Sequence, residues 1–192
     1  MGMMLRSSTR MYRNSLELSR AAMTAFDTTS DAESSETDGD ATEVEPGTTR
    51  PEWETDRTVD DPAALAVGDR VEFTKTISDD DVTSFAAASG DTNPLHLDEE
   101  YADGTRFGDR IAHGTLVSGL ISAALARLPG TVVYLSQDME FLAPVYIGDR
   151  VTAEVEVAED LGGGRLRLST TIVNDDEPCI DGEAVVLVPD TE

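Results

Sequence analysis

The sequence predicts an α+β domain in which an antiparallel sheet wraps around one central helix, and three observations carry that expectation. The run GTLVSGLISAALARL (114–128) is apolar almost all round, one strand-like run precedes it, and four follow it with turn residues between them. A helix without a polar face has to be covered, and consecutive antiparallel strands are the cover this chain offers.

The elements follow in chain order. Residues 4–26 read as an amphipathic helix, with Arg6, Arg10, Arg13 and Arg20 on one stripe and Leu5, Tyr12, Leu16, Met23 and Phe26 on another. Such a helix suits weak contact with an anionic membrane or a polymer granule. A frayed tail, or a start placed too far upstream, accounts for the same residues and is the preferred reading. Residues 27–61 are rich in Asp, Glu, Thr, Ser and Gly, with Trp53 the only aromatic, and read as a disordered acidic linker. The folded domain is expected at 62–190, behind a tail spanning 1–61.

Within that domain VGDRVEFTKTI (67–77) reads as a strand after a turn. Ser78 offers a helix cap, Asp79, Asp80 and Asp81 suit the positive helix end, and the helix should stop near Gly90. A loop with Asn93-Pro94 follows, then a brief polar helical piece from about Asp98. The central helix over 114–128 would be roughly 22 Å long, and Pro129-Gly130 ends it. Strands are expected at 131–143, 149–159, 165–174 and 180–188, with turns at Gly148-Asp149, Gly162-Gly163-Gly164 and Asp175-Asp176.

The charge excludes one class of partner. The chain has 39 acidic and 14 basic residues in 192, a net charge of -25, and Lys75 is its only lysine. A phosphate backbone is bound by clustered Lys and Arg, so no nucleic-acid partner is expected. The acidity reads as solvation of a halophilic protein, tolerable where salt screens self-repulsion. Cys179 is the only cysteine, so no intrachain disulfide can form. No apolar run of about 18 residues exists and no secretory signal is evident, so a cytoplasmic protein is expected.

Two histidines limit the chemistry. His96 lies in SGDTNPLHLD (89–98), where Gly90 ends a helix, Asn93 can satisfy loop amides and Pro94 stiffens the turn. A carboxylate at Asp91 and an imidazole at His96 can share one water, one taking a proton while the other gives it. The same residues also suit an ordinary turn with an Asx cap and a surface histidine, and spacing alone does not decide. His113 opens the central helix beside Gly114, where bare backbone N–H groups suit an oxyanion; a satisfied histidine capping a core helix is the plainer reading. A metal is not expected, because His96, Asp98 and Glu99 have no second histidine or cysteine nearby. The sequence LVSG (116–119) lacks the first glycine of a nucleophile elbow, and the triple glycine lacks the Lys and Ser/Thr of a phosphate loop.

Together FAAASGDTNPLHLD (85–98), IAHGTLVSGLISAAL (111–125) and YLSQDMEFLAPVYIGDRVTAEVEV (134–157) resemble the MaoC-like hydratases. That family includes the (R)-specific enoyl-CoA hydratases that feed polyhydroxyalkanoate synthesis and fatty-acid metabolism. The likeness covers about residues 65–189. It implies a hot-dog fold, a homodimer or larger assembly, and reversible hydration of a trans-2-enoyl-CoA to the (R)-3-hydroxyacyl-CoA. The family's catalytic pair falls on Asp91 and His96, its oxyanion amide on Gly114 and its active-site serine on Ser122, with Asn93 in support. Asp91 would take a proton from water and His96 would deliver one to C2, or the two would exchange roles. No cofactor is implied. Related readings are a dehydratase for an acyl-carrier-protein or mesaconyl-CoA thioester, and a hot-dog module that binds acyl-CoA without turning it over.

Overall fold

The computed structural model describes residues 45–189. The amphipathic segment expected at 4–26 and most of the acidic linker lie outside the described residues. Six strands form one sheet: β1 (Glu54–Arg57), β2 (Arg70–Thr76), β3 (Val133–Phe141), β4 (Arg150–Gly162), β5 (Arg165–Asn174) and β6 (Glu177–Leu187). Their spatial order is β1-β2-β4-β5-β6-β3, and every neighbouring pair is antiparallel. Between β2 and β3 come α1 (Asp79–Ser89), α2 (Pro94–Leu97), α3 (Glu99–Asp103) and α4 (Gly114–Leu125).

The period-two patterning of the strands sets which face is covered. Val71 and Phe73 of β2, Val151, Ala153, Val155 and Val157 of β4, and Leu166, Leu168 and Ile172 of β5 are buried. They meet Val117, Leu120, Ile121, Ala124 and Leu125 of α4, so the sheet closes over that helix in the expected hot-dog arrangement. Thr170, buried on the same sheet, has its hydroxyl taken by Gln137 Nε2 at 2.9 Å. The Cys179 side chain lies in this core.

Helix α1 starts on a capping box. Asp81 N–H donates to Ser78 Oγ at 3.1 Å while Ser78 N–H donates to the Asp81 carboxylate at 2.8 Å. Lys75 Nζ lies 2.7 Å from the same carboxylate. Burial alone would raise the Asp81 pKa, but Lys75 and the two Ser78 donors outweigh it and hold the carboxyl below its usual range. The helix ends at Gly90, whose φ of 78° suits a residue without a Cβ.

Three expectations need correction. The acidic linker does not extend to 61, because β1 pairs with β2 from Glu54 to Arg57. Its anchor is Trp53, whose ring meets Phe73 edge-on at 5.8 Å and carries the Arg127 guanidinium near its face. Composition hides this strand, since its own side chains are all exposed. The segment after Asn93 is not all loop: 94–97 forms a helical turn capped by the Asn93 side chain, which accepts the Leu95 N–H at 3.1 Å. Finally, α4 is not covered all round, since Thr115, Gly119 and Ser122 are exposed on one face.

Candidate active site

Gly90 turns the chain out of α1 into a loop held by its own polar groups. Asp91 N–H donates to Ser89 Oγ at 3.1 Å, and Asn93 N–H donates to Asp91 Oδ1 at 3.3 Å. Asn93 then caps α2, which carries His96. The Asp91 side chain is exposed, whereas His96 is buried to 8% exposure.

A second segment lies across this loop. Ala112 N–H donates to Val145 O at 2.8 Å, and Ile111 bridges Tyr146, so residues 111–113 are pinned to the strand-like stretch before β4. From there His113 leads into α4. It occupies the cap position but makes no capping bond with its side chain. Instead the ring turns back to the loop, where Nε2 lies 2.9 Å from the Asp91 carbonyl oxygen. His96 makes the reciprocal contact, with Nδ1 2.8 Å from the Ile111 carbonyl oxygen. A carbonyl only accepts, so His113 carries its proton on Nε2 and His96 on Nδ1. The two rings are stacked, with centroids 3.9 Å apart and planes at 32°.

Asp91, His96 and His113 each place one potential ligand atom within 4.8 Å of the others. The fold therefore supplies the second histidine that the sequence reading did not find near His96. Those are ligand types a divalent metal accepts. Two of the four ring nitrogens are already engaged, His96 Nδ1 with the Ile111 carbonyl and His113 Nε2 with the Asp91 carbonyl.

Beside His96 opens a pocket of about 260 Å³, walled by apolar side chains that include Phe107, Val117, Phe141 and Val145. Gly114 lines it at the first position of α4, where a helix start leaves backbone N–H groups without intrahelical partners. The Phe141 ring stands so close that a Cβ on Gly114 would fall 2.8 Å from its Cε1. Arg106 also lines the pocket, with its guanidinium 4.8 Å from the Phe107 ring centroid and no carboxylate within salt-bridge distance among the described residues.

The structure thus brings Asp91 and His96 together beside His113 and sets His96 and Gly114 on one pocket wall, whereas Asn93 serves as the cap of α2 and, like Asp91, does not line that pocket. It does not bring Ser122 there. That serine lies on the exposed face of α4, about 12 Å further along the helix axis, in a separate groove with Ser118, Gly119, Tyr134 and Leu135. His113, Arg106 and Phe141 were not foreseen as parts of the site. The presence of only two histidines, one of them next to the glycine that opens α4, was the signal that His113 could belong.

The MaoC like domain matches residues 62–176. Over 131 residues the chain is 51% identical to the 3-hydroxybutyryl-CoA dehydratase of Methylorubrum extorquens, covering 67% of this chain and 83% of that one. It is 46% identical over 125 residues to the (R)-specific enoyl-CoA hydratase of Rhodospirillum rubrum, covering 64% and 87%. Among solved structures, the unliganded R-hydratase PhaJ1 of Pseudomonas aeruginosa superposes with a TM-score of 0.65 at 40% identity, covering 72% and 90%.

Proposed function

Because the chain belongs to the MaoC-like dehydratase family, we propose that it is a hydro-lyase interconverting a trans-2-enoyl-CoA and the (R)-3-hydroxyacyl-CoA, with Asp91 and His96 moving the proton. The observation that carries this reading is that His96 and Gly114 line one apolar pocket while a carboxylate oxygen of Asp91 lies within 4.8 Å of a His96 ring nitrogen. The relatives' names cover the two directions of that reaction, hydratase and dehydratase.

The hydration runs as follows. Water oxygen bonds to C3 and loses one proton to the dyad; the C2=C3 π pair moves to C2, which gains a proton from the dyad on the same face. In between, charge gathers on the thioester oxygen, where the Gly114 N–H would stabilise it. The Ile111 carbonyl holds the His96 proton on Nδ1, so in its neutral form the ring offers a lone pair at Nε2. This supports His96 as the first acceptor, returning the same proton to C2, while Asp91 holds the water and faces the imidazolium. Such an exchange of roles is what a coupled pair allows. The apolar walls exclude bulk water and suit the acyl chain.

The same reading includes a second copy of the chain. Strand β3 is an edge of the sheet and exposes Val133, Tyr134, Leu135 and Phe141, beside the bare face of α4 that carries Ser122. An apolar sheet edge next to an uncovered helix face is what a partner subunit covers. The test of the activity is loss of enoyl-thioester absorbance with a panel of 2-enoyl-CoAs of graded length. Turnover to a 3-hydroxyacyl-CoA is expected; release of free CoA, or binding without turnover, would overturn the reading.

A further inference from the structure

His113 is more deeply buried than either member of the dyad, at 1% exposure, yet its Nδ1 has no hydrogen-bond partner. It is the one buried side-chain polar atom so left among the described residues. Leaving a buried polar atom unpaired costs stability, and a phenyl ring would fill the same space without that cost. The imidazole is therefore present for what its other nitrogen does. We propose that His113 is a positioning residue for the Asp91/His96 dyad, its Nε2–H fixing the Asp91 peptide and its ring face fixing the His96 imidazole.

The geometry behind this is a reciprocal latch. The catalytic loop gives an N–H from His96 to the Ile111 carbonyl, and the crossing segment gives one from His113 back to the Asp91 carbonyl. Between the two bonds the rings stack at 3.9 Å, and Phe85 backs the His113 ring at 4.9 Å. His113 is also bonded directly to Gly114. One side chain thus sets the distance between the water-activating groups and the amide proposed to hold the thioester oxygen. Catalysis is sensitive to such distances, since misplacement by about 1 Å can cost 10²-fold. His113 itself touches neither water nor thioester in this scheme, and acts only through Asp91, His96 and Gly114.

The proposal rests on the dyad reading, and the test separates the two. His113→Phe keeps the stack and removes the donor; His113→Gln keeps a donor and removes the aromatic face. Both should lower kcat, with His113→Phe losing about tenfold or more while KM stays within roughly twofold. Added to His96→Gln, His113→Phe should cost clearly less than it does in the wild type, because one of the groups it positions is already gone. An independent readout needs no variant. With two histidines the chain has only four imidazole nitrogens, and the nitrogen-15 spectrum of the wild-type protein should show His113 as the Nε2–H tautomer with a proton protected from exchange. Activity retained by Asp91→Asn and His96→Gln would overturn the dyad itself. A dyad that proves essential while folded His113→Phe keeps kcat within twofold would overturn only the role of His113, as would an Nδ1–H tautomer.

Discussion

Phe141 leans on Gly114: the space a Cβ would need on that glycine is already occupied by the edge of the phenyl ring, 2.8 Å away. The close atoms all belong to the far part of the Phe141 side chain rather than to backbone, so the ring can yield. Gly114→Ala should therefore fold and melt much as the wild type does, while the displaced ring and added methyl disturb the acyl pocket. A fall in kcat/KM on the order of 10²-fold is expected, consistent with misplacement by about 1 Å. Phe141→Ala in the same chain should recover part of it. Steady-state kinetics alongside thermal melts decide the matter, and an unchanged kcat/KM in Gly114→Ala would remove Gly114 from the site.

The dyad makes a sharper demand. His96→Gln keeps a hydrogen bond but removes the proton carrier, and Asp91→Asn keeps the shape but removes the charge that faces the imidazolium, so kcat should fall about 10²- to 10⁴-fold in each with little change in KM. The double variant should lose less than the product of the two losses, because both groups serve one transition state. Retention of more than about a tenth of kcat by either folded variant would lie far outside that range.

Arg106 tests the substrate's anionic half. It is a cation on the pocket wall of a chain whose net charge is -25, and its guanidinium has no ion pair among the described residues. A thioester carried on coenzyme A brings phosphates to that wall. Arg106→Ala should raise KM for an enoyl-CoA by roughly tenfold, the loss of one charge-assisted bond. KM for a phosphate-free cysteamine thioester should not change. Equal shifts for both substrates would assign Arg106 to packing.

Salt and pH should act together at Glu154. It stands directly opposite Glu72 across β2 and β4. Burial first, and then the Glu72 charge, push its pKa up against a weaker opposing effect of Arg70. The folded state thus holds this proton more tightly than the unfolded chain. The mismatch is absent below the ordinary glutamate pKa, grows as pH rises from there, and is complete above the folded pKa. Glu154→Gln should therefore stabilise the protein at pH 7 by a few tenths to about 1 kcal/mol, or about 1–4 °C in Tm. The gain should shrink in molar salt and vanish in acid. The whole chain should follow the same logic, melting at higher temperature in 2 M than in 0.1 M KCl as the Debye length falls from about 10 Å to under 3 Å. A Tm independent of salt would end the halophilic reading.

Assembly is checked on the uncovered face of α4. Light scattering should give a dimer, and Leu135→Glu on β3 should shift it toward monomer and lower activity with it. A monomeric wild type that is fully active would show that the exposed apolar edge serves something else.

Much of this was legible in the chain. Alternation in β2, β4 and β5 announced which face is buried, and Ser78 and Gly90 marked the ends of α1, because these signals are local. The Asp91/His96 spacing was equally visible. What remained hidden was set by distant partners. β1 has no apolar face of its own and exists through its pairing with β2. The His96–His113 stack joins two loops through contacts that neither loop's composition specifies. Gly119 and Ser122 made α4 read as covered all round, because small residues do not reveal whether a helix is roofed by its own sheet or lies bare.

The burial of Cys179 has a chemical consequence. An enoyl thioester is an electrophile toward thiolates as well as water, and adding a thiolate at C3 would alkylate the protein. The backbone carbonyl of Cys179 accepts from the N–H groups of Leu142 and Ala143 in the pocket wall, but its side chain is 2% exposed and turned into the core. Burial, with the Asp149 carboxylate adding to it, pushes the thiol's pKa up and keeps it in the poorly nucleophilic form. A protein that admits such electrophiles for turnover thus keeps the sequence's single sulfhydryl shielded from them, protected against inactivation by its own reactant.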